Sequence, residues 1–193
     1  GNGANFFPVH AYGNTTGTGT FLVGGTSNTL DLMFVDGLAT STPSFTLRHL
    51  SIAIPDGTDP VPAPQKGGGP NLITNFSVHA EPVLRDGFLY GVVGVSHSST
   101  GLNAVHWYKV DVRDPLNPVI RAEGDVQPLN LGPAVHTFFG HVVVNKFGQI
   151  AIGFSATSDS LYVGAYYAIL SPEDNGLEPA KALHAGEANY VQL

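Results

Sequence analysis

The side chains best suited to chemistry near neutral pH are the eight histidines, whose charge changes within the physiological range. Two groupings stand out, His79 with Glu81 and His136 with His141. A zinc site needs three or four converging ligands, and the spacing in HTFFGH is not that of a helical ligand pair. On a strand, His79 and Glu81 would share one face. Paired carboxylates for acid–base work would come from Asp31, Glu81, Asp111, Glu123 and Asp125, each competing with the plainer reading of a polar residue alternating toward solvent. Phe6, Phe7, Phe138 and Phe139 sit at matching places before strands, either as packing between sheets or as an aromatic platform for a sugar or peptide. Two other motifs carry less. The glycines Gly67 to Gly69 lack the GK[ST] of a phosphate loop,. In SHSS, Ser96 to Ser99, neighbours on a strand point opposite ways, so no Ser–His pairing follows from their adjacency,.

The elements that must position these groups read as short strands throughout. Thr20 to Gly25, Leu30 to Asp36, Ser44 to Ile54, Phe88 to Ser96, Asn103 to Val112 and Val119 to Val126 are strands bounded by turn residues,. Phe138 to Leu170 reads as three more, and Pro179 to Glu187 as a last one. Between Pro55 and Asn71 the run PDGTDPVPAPQKGGGPN excludes helix and central strand,. It is a long connection between repeats rather than a linker between domains, because strand patterns continue on both sides.

Composition bounds the partners. Of 193 residues only 12% are charged, and the formal charge is −7. No basic run exists, which argues against nucleic acid. No apolar run is long enough for a membrane-spanning helix. With no cysteine, disulfides and thiolate chemistry are excluded. Few lysines among abundant Gly, Thr, Ser and Asn favour an extracellular or cell-surface setting. No cofactor is called for. A calcium-assisted fold through Asp56, Asp59 and Asn71 remains a minor option,.

A repeat organises the chain. Gly87 and Gly148 each end a turn just before a strand, 61 residues apart. At that offset Leu89 meets Ile150, Val93 meets Phe154, Ala104 meets Ala165 and Tyr108 meets Ile169, with no gap required. Units of about four strands at this spacing have the dimensions of a large propeller blade. The expected fold is therefore all-β: one partial β-propeller over 1–193, of about three four-stranded antiparallel blades near 5–55, 71–127 and 136–193.

The segments FFPVHAYGNTTGTGTFLVGGTSNTLDLMFVDG, AVHWYKVDV and VVVNKFGQIAIGFSATS followed by YVGAYYAIL resemble the sialidase-like (BNR-type) propellers of secreted bacterial proteins, mostly without assigned activity. The resemblance spans almost the whole chain. The expectation is that the polypeptide continues beyond these residues, or that other chains supply the remaining blades, because three blades do not close a ring and leave two apolar faces open; the alternative is an open three-sheet arrangement that needs no partner. A sialidase-type enzyme would also need an arginine cluster for the substrate carboxylate. Only Arg48, Arg85, Arg113 and Arg121 exist, and NKFGQIAI lacks the aspartate of the Asp-box. The expectation is a non-catalytic scaffold or binding module. Its ligand contacts would be His79, Glu81, His136, Phe138 and His141 around a channel mouth, and its partners other chains or blades, with carbohydrate a further candidate. The competing expectation is a sialidase-like hydrolase whose catalytic residues lie partly outside this chain.

Overall fold

A computed structural model describes residues 5–13, 19–36, 42–51, 57–74, 79, 81–170 and 176–191. The fold is all-β, in three sheets packed face to face in series, none closed on itself. The first sheet holds β1 (Phe7–Pro8), β3 (Thr20–Thr26), β4 (Thr29–Asp36) and β5 (Ser44–Ser51), in that order across the sheet. The middle sheet is built on β7 (Val83–Arg85), β8 (Phe88–His97), β9 (Asn103–Asp111) and β10 (Val119–Asp125). The third runs β11 (His136–Val144), β12 (Ile150–Ser158), β13 (Leu161–Leu170) and β14 (Lys181–His184). The middle sheet has six strands, not four. β2 (His10–Tyr12) adds to β7 in parallel, and β6 (Gly57–Thr58) pairs with β8 beyond the end of β7. One segment thus serves two sheets. β1 pairs with β3 in the first, and after Val9 the chain passes to β7 in the second, with the His10 amide donating to Pro82 O at 2.9 Å.

Burial explains the sequence pattern. The middle sheet is covered on both faces, so β8 and β9 read as nearly unbroken apolar runs,. Leu89, Val93, Val95, Tyr108 and Val110 pack against Phe21, Val23, Leu30 and Leu32 of the first sheet. The intervening Tyr90, Val92, Val105 and Trp107 pack against Val142, Ile152, Phe154 and Tyr166 of the third. The end sheets are covered on one face only, and β11 and β12 alternate accordingly.

The repeat is real but not free of gaps. Gly87 and Gly148 both take positive φ, 78° and 80°, in turns that lead into β8 and β12. Within those two strands the offset of 61 holds, since the residues of each that face the preceding sheet correspond. Leu84 pairs with Leu89 as Val144 pairs with Ile150, so the strands before them match at an offset of 60. Likewise Gly91 pairs with Tyr108 as Ile152 pairs with Ala168. Tyr108 therefore corresponds to Ala168, not Ile169. Turn lengths differ by one residue at each end, and sequence identity alone does not register a slip of that size.

β5 is described over Ser44–Ser51, and the expected continuation to Ile54 lies outside the described residues. One boundary does shift: β14 covers only Lys181–His184. The register of β10 against β9 shifts between Ile120 and Ala122. A short 3-10 turn forms at Leu129–Leu131, between β10 and β11.

The long connection is a strap. The Asn103 side chain accepts from the Val61 amide (3.0 Å) and donates to Val61 O (2.6 Å) and Thr74 Oγ1 (2.8 Å), fixing the strap to the middle sheet. Thr157 Oγ1 donates to Pro64 O (3.1 Å), fixing it to the third. Gln65 then holds the end of the described chain, accepting from the Tyr190 amide (2.6 Å) and donating to Tyr190 O (2.8 Å). Asn103→Ala removes all three of these hydrogen bonds, and we expect it to cost about 2 kcal/mol. Urea unfolding reads the loss, and faster tryptic cleavage after Lys66 reports release of the strap.

Candidate functional site

The five ligand residues expected from sequence fall into two groups. His79 is 1% exposed and lies between the first and middle sheets. Its Nε2 is 3.2 Å from the Thr29 carbonyl, which only accepts, so the proton sits on Nε2,. Nδ1 then accepts from the Tyr108 hydroxyl at 3.0 Å. Burial lowers the His79 pKa to about 4, against weaker opposition from backbone carbonyls and Asp31. The same burial pushes the Tyr108 phenol well above its ordinary value. His136 is also buried, its Nδ1 accepting from the Asn103 amide at 3.2 Å, and burial lowers its pKa too. Both rings are thus part of the packing between elements.

Glu81 and His141 do come together. Both are exposed, and Glu81 Oε2 stands 3.7 Å from His141 Nδ1. They sit at the first strands of neighbouring sheets, Glu81 just before β7 and His141 within β11. The backbone on both sides is unusual. Glu81 has φ 44° and Phe139 has φ 52°, a left-handed conformation that bulky residues seldom adopt. In β11 the cause is a bulge, since register is lost between Phe138 and His141,. Phe138 is buried there, edge to face with half-exposed Phe139 at a centroid distance of 5.1 Å. The two rings line a depression of about 460 Å³ with Ile73, Val163, Ser155 and Tyr190. Phe138 is therefore the floor of an aromatic recess, and Phe139 its exposed wall.

Sequence reasoning missed two further clusters. On the face of the middle sheet turned to the first, His106 is buried between Asp125 (Nδ1 to Oδ1, 2.8 Å) and Glu123 (Nε2 to Oε2, 3.4 Å). His97 Nε2 meets the other oxygen of Asp125 at 3.0 Å. Burial opposes the charge on Asp125, but the two imidazoles outweigh it and hold its carboxyl below the usual range,. The signal was cross-strand register: His106 pairs with Asp125 between β9 and β10. The second cluster centres on Asp111, read from sequence as solvent-facing but buried in the structure. Arg113 grips both its oxygens (2.9 and 2.6 Å), and Arg121 adds a contact at 2.9 Å. The Arg113 hydrogen bond leads the effects that hold the Asp111 carboxyl well below its usual range.

The arginines do not form a substrate clamp. Two share Asp111, Arg48 donates to Leu116 O (2.7 Å), and Arg85 lies over the Tyr12 ring at 5.6 Å. Among the described residues no group of three or more His, Asp or Glu is placed to hold a metal ion. Of the calcium option, Asp56 lies outside the described residues and Asp59 accepts from Ser27 Oγ at 3.4 Å. Among the described residues no helix is long and apolar enough to cross a membrane. Compared with known proteins, the chain matches no family model, no curated protein and no solved structure.

Proposed function

We propose that this chain is a non-catalytic propeller module, three blades side by side, that acts as a scaffold or binding unit in an extracellular or cell-surface assembly. The observation that carries this reading is the contrast between the sheets. The middle one is apolar and covered on both faces, while each end sheet turns an apolar face to solvent. On β5 of the first sheet Phe45 is 64% exposed, and on the third Val143 and Leu183 are 63% and 66% exposed. Such faces suit further sheets of the same kind, from the same polypeptide or from another chain. The parallel pairing of β2 with β7 supports the same reading, because the innermost strands of neighbouring blades run parallel along one axis. Glu81, His141 and the Phe138–Phe139 recess are the binding contacts on that inner side.

The hydrolase alternative gains no comparable support, since the arginines are spent on Asp111, a backbone carbonyl and an aromatic ring. Sedimentation velocity tests the assembly reading. We expect this chain to self-associate with rising concentration and to take up an apolar fluorescent dye. The double variant Val143→Lys/Leu183→Lys should lower both while melting as the parent does. A monodisperse monomer that takes up no dye overturns the proposal.

A further inference from the structure

The middle sheet shows one face to the sheet before it and the opposite face to the sheet after it, and the repeat carries that sense into the third. Leu89 and Val93 of β8 meet the first sheet, and their counterparts 61 residues on, Ile150 and Phe154 of β12, meet the middle one. Tyr90 and Val92 of β8 meet the third sheet, whereas their counterparts, Ala151 and Gly153, lie partly exposed on its outer face. The open face of the third sheet is therefore the side that receives a following sheet. The first sheet is covered by the middle one on its Phe21 and Val23 side, so its open face is the side that a preceding sheet would cover. The two ends of the molecule thus carry the two unlike halves of an interface that it already makes twice.

Size matches as well. On the third sheet the floor is small, because Ala151, Gly153 and Ser155 share the outer face of β12, and a Cβ at Gly153 would meet nothing within 4 Å. Larger residues stand on either side: Val143 of β11 opposite Ala151, with Tyr167 and Ile169 of β13 opposite Gly153 and Ala151. On the first sheet the centre is raised. Met33 of β4 lies between Leu22 of β3 and Leu47 of β5, and exposed Phe45 shares the face of Leu47. A raised patch fits a hollow. Two hollows leave a void between them, and two raised patches touch only at their crests, so either like pairing forfeits contact.

We propose that this chain assembles head to tail with a second copy of itself, the first sheet of one copy seated on the third sheet of the next. This rests on the reading of the open faces given above, and adds the partner and its orientation. Such an interface is heterologous, so it repeats from copy to copy, closing into a ring or extending as a filament.

Two variants of the intact chain test the proposal by sedimentation velocity. Phe45→Lys/Leu47→Lys blocks the first sheet, and Val143→Lys/Leu183→Lys blocks the third. All four residues are exposed, so both variants should melt as the parent does. Each variant alone should remain monomeric at concentrations about tenfold above those at which the parent associates. An equimolar mixture restores one interface, and should give a heterodimer with one copy of each variant and nothing larger. Self-association of either variant alone as strongly as the parent's would show that like faces pair. That result, or a mixture that forms no heterodimer, overturns the head-to-tail proposal and leaves the scaffold reading standing. A parent chain that stays monomeric overturns both.

Discussion

Gly91→Ala is expected to destabilise the protein by about 3 kcal/mol. A Cβ at Gly91 would lie 2.2 Å from the Tyr108 hydroxyl and 2.3 Å from the ring carbon that bears it. The ring has no room to retreat. Tyr108 is 1% exposed, packs among Leu89, Val93 and Val110, and donates to His79. Moving it either breaks that bond or opens a void between the first and middle sheets, and each costs stability. Gly153, in the corresponding strand of the third sheet, provides the control. A Cβ there would meet nothing within 4 Å. Gly153→Ala should therefore gain about 0.5 kcal/mol, because alanine gives up less backbone freedom on folding than glycine does. Urea unfolding of the pair is the measurement. Equal stabilities would show that Tyr108 does not occupy the space above Gly91.

The second large effect is a loss of stability in mild acid. His79 has a pKa of about 4 in the folded protein and an ordinary value of 6.5 when the chain is unfolded. Between those values the unfolded chain binds the extra proton and the folded chain does not, so stability falls as pH falls. Its contribution is complete above pH 6.5, declines down to pH 4 and is constant below. The loss from this residue amounts to about 3 kcal/mol. His136, with its pKa lowered by burial, acts in the same direction. The carboxylates come later. Asp111 and Asp125 have lowered values, so their contributions are present above the ordinary carboxylate pKa and disappear only as pH drops below it toward the folded values,. Unfolding free energies measured from pH 7.5 to 4.5 should slope steeply, and His79→Gln should remove about 1.4 kcal/mol per pH unit from that slope, whatever it costs at pH 7.5. An unchanged slope in the variant would mean that His79 binds its proton in the fold as readily as in the unfolded chain.

How far the sequence could be read depended on the range of the interaction. Turn chemistry is local, so Asp86-Gly87 and the Gly148 turn were visible, and the strands beside them followed. The long run Phe88–Ser96 was equally clear as a strand. Its covering on both faces was not, because a continuous apolar stretch does not say which neighbours supply the cover. The pairing of Glu81 with His141 could be anticipated in outline, since the repeat places both near the first strands of successive units. His79 differed in lying deeper, which no pattern in the sequence around it reveals. The array of His97, His106, Glu123 and Asp125 was out of reach. His97 and Asp125 are 28 residues apart, on strands that do not pair directly, and the register shift after Ile120 alters which residues of β10 face them. Asp111 was misread for another reason: alternation assigns it to solvent, and the pattern does not show that Arg113, two residues on, folds back onto it while Arg121 reaches it from the neighbouring strand.

The strap also sets a timetable for biosynthesis. Gln65 reaches a ribosome's exit early, yet its partner Tyr190 lies 125 residues downstream. Until nearly the whole described chain has been made, this glutamine has water in place of its final partner, and closing so long a loop comes after the local hairpins have formed. The fastening of strap to tail is therefore a final latch, added to sheets already built, and a nascent chain halted short of Tyr190 would carry those sheets with the latch still open.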